Sequence, residues 1–195
     1  MIIPRSRTRV LDIILSDPGM LISSVIRNAR ANPRYAIDFI NEAVREGIIT
    51  EELIGGEEKV HARRLYPNMM EGRAIFCLVE MEKRIAFLKE NPPLRGPFSE
   101  VSRKVRAKSG FALVFGSYAR STESEDSDLD VLVVCDEPLQ EAVLSDSFVL
   151  ADILPSVIWE TEGQFSERRE NPLHLNIRRD HIVIYGEGKY LDAIS

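Results

Sequence analysis

The stretch that most narrows the choice of fold and chemistry is residues 111–134. Five apolar residues, Phe111-Ala112-Leu113-Val114-Phe115, run into Gly116-Ser117-Tyr118-Ala119-Arg120. A polar loop follows, then Ser127-Asp128-Leu129-Asp130 and a further apolar run to Val134. Short apolar runs bounded by turn residues predict two buried strands, over 111–115 and 129–134. A glycine and a serine where a strand gives way to a helix let the backbone approach a phosphate closely and offer it N–H groups and a hydroxyl. Arg120 lies one turn further on and adds positive charge. Asp128 and Asp130 stand at alternate positions at the mouth of a strand, so their carboxylates leave the same face and can share cations. Magnesium takes such oxygens together with phosphate oxygens. A metal pair held this way stabilises both the attacking and the leaving oxygen of an in-line phosphoryl displacement. An isolated Asp-x-Asp reads as an acidic surface loop; the same pair joined to a Gly-Ser turn and an arginine between two strands reads as a site.

The N-terminal third follows a different pattern. Dense apolar residues over 8–17 predict a short helix stopped by Asp17-Pro18-Gly19, and a second helix covers 21–31. Asn32-Pro33 supplies an N-cap and a first-turn proline, and Ile37, Ile40, Ala43 and Val44 form the stripe of a third helix ending at Gly47. Apolar runs on either side of Gly55-Gly56, within 48–67, predict a hairpin. Three helices and a hairpin suggest a winged helix over residues 1–67. A helix over 69–89 then makes a helical linker, residues 68–96, marked by the prolines Pro92 and Pro93 and by Pro97 just beyond it. Beyond it the pattern gives a helix over 98–108, the two strands, a helix over 137–152, a strand over 154–160, a largely helical 162–179 and a strand over 181–185 closed by Gly186. Strands alternating with helices make residues 97–195 an α/β domain with a small mixed sheet, and the whole chain α+β.

Composition sets the outer limits. A chain of 195 residues that is 44% hydrophobic and 29% charged is an ordinary globular sequence. Cys77 and Cys135 each sit in an apolar stretch, which gives neither a disulfide framework nor a metal-binding pair and fits a reducing cytoplasm. Asp12 and Asp17 interrupt the apolar run behind Arg5, Arg7 and Arg9, so no signal-peptide core forms, and no run approaches the roughly 20 apolar residues of a membrane span. A cytoplasmic location without membrane contact is expected. The net charge of −6 is uneven: residues 1–90 hold 14 Lys/Arg against 13 Asp/Glu, and the remainder 11 against 18. His61, His174 and His181 show no metal-ligand spacing, and neither a Walker loop nor a Gly-x-Ser-x-Gly elbow is present.

Gly116-Ser117, Arg120 and Ser127-Asp128-Leu129-Asp130 resemble the motif of the DNA polymerase beta-like nucleotidyltransferase superfamily, in its minimal branch. The motif itself spans residues 116–130, and with the flanking elements the resemblance extends over about 109–186. It implies Mg2+ bound by Asp128 and Asp130. It also implies a nucleoside triphosphate, with ATP the expected one, held by Gly116 and Ser117 with help from Arg120 and Ser127. The implied reaction moves a nucleoside monophosphate to an acceptor hydroxyl, on a protein or a nucleic acid, and releases pyrophosphate. Members of the family usually carry a third carboxylate on the third strand, which assists metal binding and deprotonates the acceptor. Here that face offers Ser156; Asp152 and Glu160 share its parity, and Asp152, near the start of the strand, is the candidate catalytic residue. A glycine often follows the arginine in the family, whereas this chain has Ser121 at what reads as a helix start.

For the N-terminal domain, resemblance to a winged helix-turn-helix implies DNA contacts from Arg30 and Arg34 around the third helix and from Lys59 and Arg63 on the wing. Asp38, Glu42, Glu46, Glu51 and Glu52 oppose them. Two alternatives therefore stand beside the transferase reading. One is a DNA-binding regulator whose C-terminal domain senses nucleotide. The other is an antitoxin-like enzyme that modifies a partner protein, since minimal members of the family occur in such pairs.

Overall fold

The computed structural model describes residues 3–56, 59–124, 127–137, 146–151, 153 and 155–195. The chain divides into two units, Met1–Glu82 and Lys83–Ser195.

In the first unit, helix α1 (Arg5–Ser16) is followed by the two-residue strand β1 (Met20–Leu21), α2 (Ile22–Ala29), α3 (Pro33–Arg45), β2 (Ile49–Gly56) and β3 (Lys59–Pro67). The strands form an antiparallel sheet in the order β1-β3-β2, with Met20 opposite Leu65 and Glu51 opposite the same residue on the other side. The sequence had offered no sign of β1, which is too short to show a period. Asn32 caps α3 as expected, its side-chain oxygen accepting from the N–H groups of Arg34 and Tyr35 at 3.1 and 3.3 Å. Gly47, at φ +73°, closes it with an N–H bond to the Val44 carbonyl. The apolar stripe of α3 differs from the expected one. Ala36, Phe39, Ile40 and Ala43 are buried, whereas Ile37 is 40% exposed, so Phe39 rather than Ile37 lies on the buried face of the helix. Arg7 of α1 sits over the Phe39 ring, donates to the Tyr35 hydroxyl and pairs with Glu42 at 3.1 Å.

Helix α4 (Arg73–Glu90) begins four residues later than its sequence pattern suggests, after a turn in which Met70 is almost fully exposed. In the second unit its last residues lead to a 3-10 turn (Pro92–Leu94), then α5 (Arg95–Ala107), β4 (Phe111–Phe115), α6 (Gly116–Arg120), β5 (Leu129–Val134), a second 3-10 turn (Asp146–Ala151), β6 (Pro155–Glu160), α7 (Glu162–Glu167), α8 (Pro172–Arg179), β7 (His181–Tyr185) and α9 (Glu187–Ile194). Pro97 stands just past residue 96. It lies buried in the first turn of α5, where a proline leaves no intrahelical hydrogen bond unmade. Most of the helix expected over 137–152 lies outside the described residues.

The sheet runs β6-β5-β4-β7, with β5 and β6 parallel and the other pairs antiparallel, so it is mixed. Every residue of β4 is buried, as expected of a central strand covered on both faces. One face packs Phe98, Val101 and Val105 of α5 and Phe148 against Ala112, Val114, Val131 and Val133, with the Phe98 and Phe148 rings edge-on at 5.3 Å. On the other face Phe111 meets Phe165 of α7 and Tyr190 of α9 at 5.3 and 5.8 Å. The antiparallel β4–β5 pair brings the end of β4 beside the start of β5, and parallel β6 starts there too. Three strand ends therefore meet at one edge of the sheet.

Candidate active site

At that edge β4 stops at Phe115 and Gly116 turns the chain into α6 with φ +73°, a region that L side chains rarely occupy. There is a second reason for glycine. A Cβ at residue 116 would stand 2.2 Å from Asp130 Oδ2, so the carboxylate rests directly on the glycine backbone. Helix α6 ends at Ser121, also left-handed at φ +54°. Ser121 was expected at a helix start, which any residue accepts; it is the C-cap, where the glycine common in the family relieves backbone strain.

The loop back to β5 is folded on itself. Thr122 N–H donates to the Ser117 carbonyl, Ser127 N–H donates to the Ser124 carbonyl, and Ser124 N–H returns to the Ser127 hydroxyl, all at 2.9–3.0 Å. Ser127 thus shapes the loop that delivers Asp128. Asp128 is exposed and Asp130 half-buried, with Leu129 between them buried in the core. Across the parallel ladder Asp130 faces Ser156. Burial raises the proton affinity of Asp130 above the ordinary aspartate range, and repulsion from Asp128 adds to it; a hydrogen bond from Ser156 and the charge of Arg120 act the other way. Gly116, Arg120, Asp128, Asp130 and Ser156 therefore converge, while Ser117 lies in the first turn of α6.

A half-buried carboxylate destabilised by a second one is an environment that a divalent cation would relieve. The donors around it are all oxygens, which suits magnesium rather than a softer metal. Among the described residues no group of three or more His, Cys, Asp or Glu side chains is placed to hold a metal. Asp152, the expected third carboxylate, lies outside the described residues. Glu160 is occupied elsewhere: at the far end of β6, it is 2% exposed and receives Arg168 and His174 at 2.7 and 2.9 Å.

Residues 98–186 match the family model described as the nucleotidyltransferase domain. The chain carries a nucleotidyltransferase domain. A protein of Methanocaldococcus jannaschii, named as a candidate protein adenylyltransferase, is 26% identical over 100 residues, which are 50% of this chain and 100% of that protein. No solved structure gives a significant match. Among the described residues no helix is long and apolar enough to cross a membrane.

In the first unit Arg30 is the exposed left-handed cap of α2 and Arg34 lies exposed in the first turn of α3. Lys59 opens β3 opposite Gly56. Arg63 is engaged within the unit, pairing with Glu51 at 2.9 Å and donating twice to the Asn41 side chain.

Proposed function

We propose that this chain is a magnesium-dependent adenylyltransferase whose acceptor is a hydroxyl on a protein. The observation that carries the reading is the Asp130 carboxylate lying against the backbone of Gly116, with the charge of Asp128 acting on it, at the turn where a triphosphate would enter. The name of the Methanocaldococcus jannaschii protein supports ATP and a protein acceptor. Magnesium bound at the two carboxylates supplies charge neutralisation for the triphosphate. Gly116 and Ser117 present backbone N–H groups to the phosphates, and Arg120 adds positive charge at the rim. The acceptor oxygen attacks the α-phosphorus, the bond from that phosphorus to the pyrophosphate oxygen breaks, and pyrophosphate departs. Ser156, where a general base is wanted, is a poor base at neutral pH, so the acceptor proton passes to water or to Asp152. Slow turnover that falls further in Asp152→Asn supports the second route.

Asp128→Asn tests the site. Calorimetry with ATP and magnesium should give saturable binding to the wild type and none to the variant, with the circular dichroism spectrum unchanged; equal binding by both would overturn the assignment.

One observation favours a second reading, a DNA-binding regulator with a nucleotide-sensing domain. The first unit has three helices and a long hairpin, the element set of a winged helix, with Arg30 and Arg34 exposed at α2 and α3. The internal pairing of Arg63 weakens it. Selection from random duplexes that recovers no preferred sequence would refute it.

A further inference from the structure

On the face of the sheet covered by α7, α8 and α9, a small cavity of about 10 Å³ is lined by Arg169, His174 and Arg178 together with Phe165, Ile177 and Ile194. That space admits one water-sized group. Its chemistry is unusual for an interior. His174 is only 5% exposed, and its ring is fixed by an edge contact with Phe165 at 5.3 Å and by Glu160, whose Oε2 lies 2.9 Å from Nε2. A carboxylate that already receives Arg168 accepts from the imidazole too, so Nε2 carries the hydrogen and Nδ1 is the nitrogen left over. Nδ1 is buried and has no hydrogen-bond partner among the described residues. The same is true of Arg178 Nε, one helical turn further along α8. The two residues share one helix face and line the one cavity, and among the described residues neither orphaned atom has the partner that a buried polar group requires.

We infer that this cavity is an oxyanion site, taking one oxygen of a small carboxylate or phosphate group. Two guanidinium groups line the cavity, and among the described residues no acidic side chain does. A guanidinium matches the oxygens of carboxylate and phosphate, and Arg178 Nε donates to the buried oxygen. Exposed Arg169 meets the outer oxygens at the rim. His174 completes the set in either of two ways. Protonated, it donates from Nδ1 and stands as an imidazolium between Glu160 and the anion; neutral, it accepts from the hydroxyl of a hydrogen phosphate. The apolar walls from Phe165, Ile177 and Ile194 exclude water around the buried oxygen and strengthen both contacts.

The site is separate from the nucleotide edge. Glu160, which holds His174, lies four residues beyond Ser156 on β6, ~13 Å along a strand that rises ~3.3 Å per residue.

The test is histidine NMR on the full chain, with the His174 ring resonances assigned by their loss in His174→Gln. Inorganic phosphate and acetate are titrated separately at constant ionic strength in chloride. A saturable shift of His174 with either anion, weakened tenfold or more in Arg178→Gln, is the expected result, and the anion that saturates identifies phosphate or carboxylate as the ligand class. The His181 resonance, on the neighbouring strand, reports whether the variant is folded. Should Arg178→Gln lose its fold, Arg169→Gln at the exposed rim decides, with a several-fold loss of affinity expected. No saturable shift with either anion, meaning that the cavity holds water alone, overturns the inference. So does equal affinity in the folded Arg178→Gln or in Arg169→Gln.

Discussion

Gly116→Ala is the perturbation that separates a working site from a decorative loop. The added methyl carbon would lie 2.2 Å from Asp130 Oδ2, 3.2 Å from Cγ and 3.4 Å from Cβ. Tolerable contacts begin near 3.0 Å, so the carboxylate must retreat by roughly 0.8 Å, about the misplacement that costs a catalysed reaction on the order of 100-fold. Independently, an L residue held at φ +73° costs about 1–2 kcal/mol of stability. Gly96, in the first turn of α5, is the control, because nothing lies within 4 Å of its would-be Cβ; alanine there should be neutral or stabilising by up to about 1 kcal/mol. The assay pairs urea unfolding followed by circular dichroism with transfer of label from α-labelled ATP. The expected outcome for Gly116→Ala is a stability loss of about 1–2 kcal/mol together with the ~100-fold loss of transfer. Full activity in a destabilised Gly116→Ala protein would refute the idea that the Asp130 carboxylate is positioned by this glycine for chemistry.

Two further outcomes follow from the same edge of the sheet. Ser121→Gly, at φ +54°, should stabilise the protein by about 1 kcal/mol in urea unfolding, since it removes left-handed strain and, among the described residues, no side-chain hydrogen bond; a loss of stability would contradict this. Asp130→Asn should be more stable than the wild type at neutral pH, because the raised proton affinity of Asp130 means that its charged form is disfavoured in the folded state. The favourable contribution of the wild-type residue is present below its unfolded pKa and is lost as pH rises through the raised folded value. The gap between the two proteins should therefore narrow on acidification through the carboxylate range, and unfolding curves that keep a constant gap would exclude this origin.

The two central strands were legible because β4 and β5 are buried along nearly their whole length and are bounded by residues with few alternatives, Gly116 on one side and Asp128 on the other. Ser156 was legible for a similar reason: the period of two fixes which β6 residues share a face. The left-handed cap at Ser121 was not, since neither glycine nor asparagine marks it. The break between α7 and α8 did have a signal. Asn171-Pro172 repeats the Asn32-Pro33 cap of α3, with Asn171 accepting from Leu173 N–H at 2.9 Å, but helix-compatible residues on both sides conceal it. Helix α9 was missed because its stripe of Tyr190, Leu191 and Ile194 is short and ends with the sequence. What made Gly116 indispensable, the carboxylate lying against it, is a contact between elements and has no trace in local pattern.

Asp128 and Asp130 together are proposed to perform nucleotidyl transfer. Incubation with each α-labelled nucleoside triphosphate and magnesium, in cell extract and alone, tests it most directly, with the wild type beside Asp128→Asn/Asp130→Asn. Label from ATP on a protein band and stoichiometric pyrophosphate release are expected from the wild type, both absent from the double variant. Labelling that persists in the double variant, or a wild type that binds ATP yet transfers nothing and releases no pyrophosphate, would contradict it.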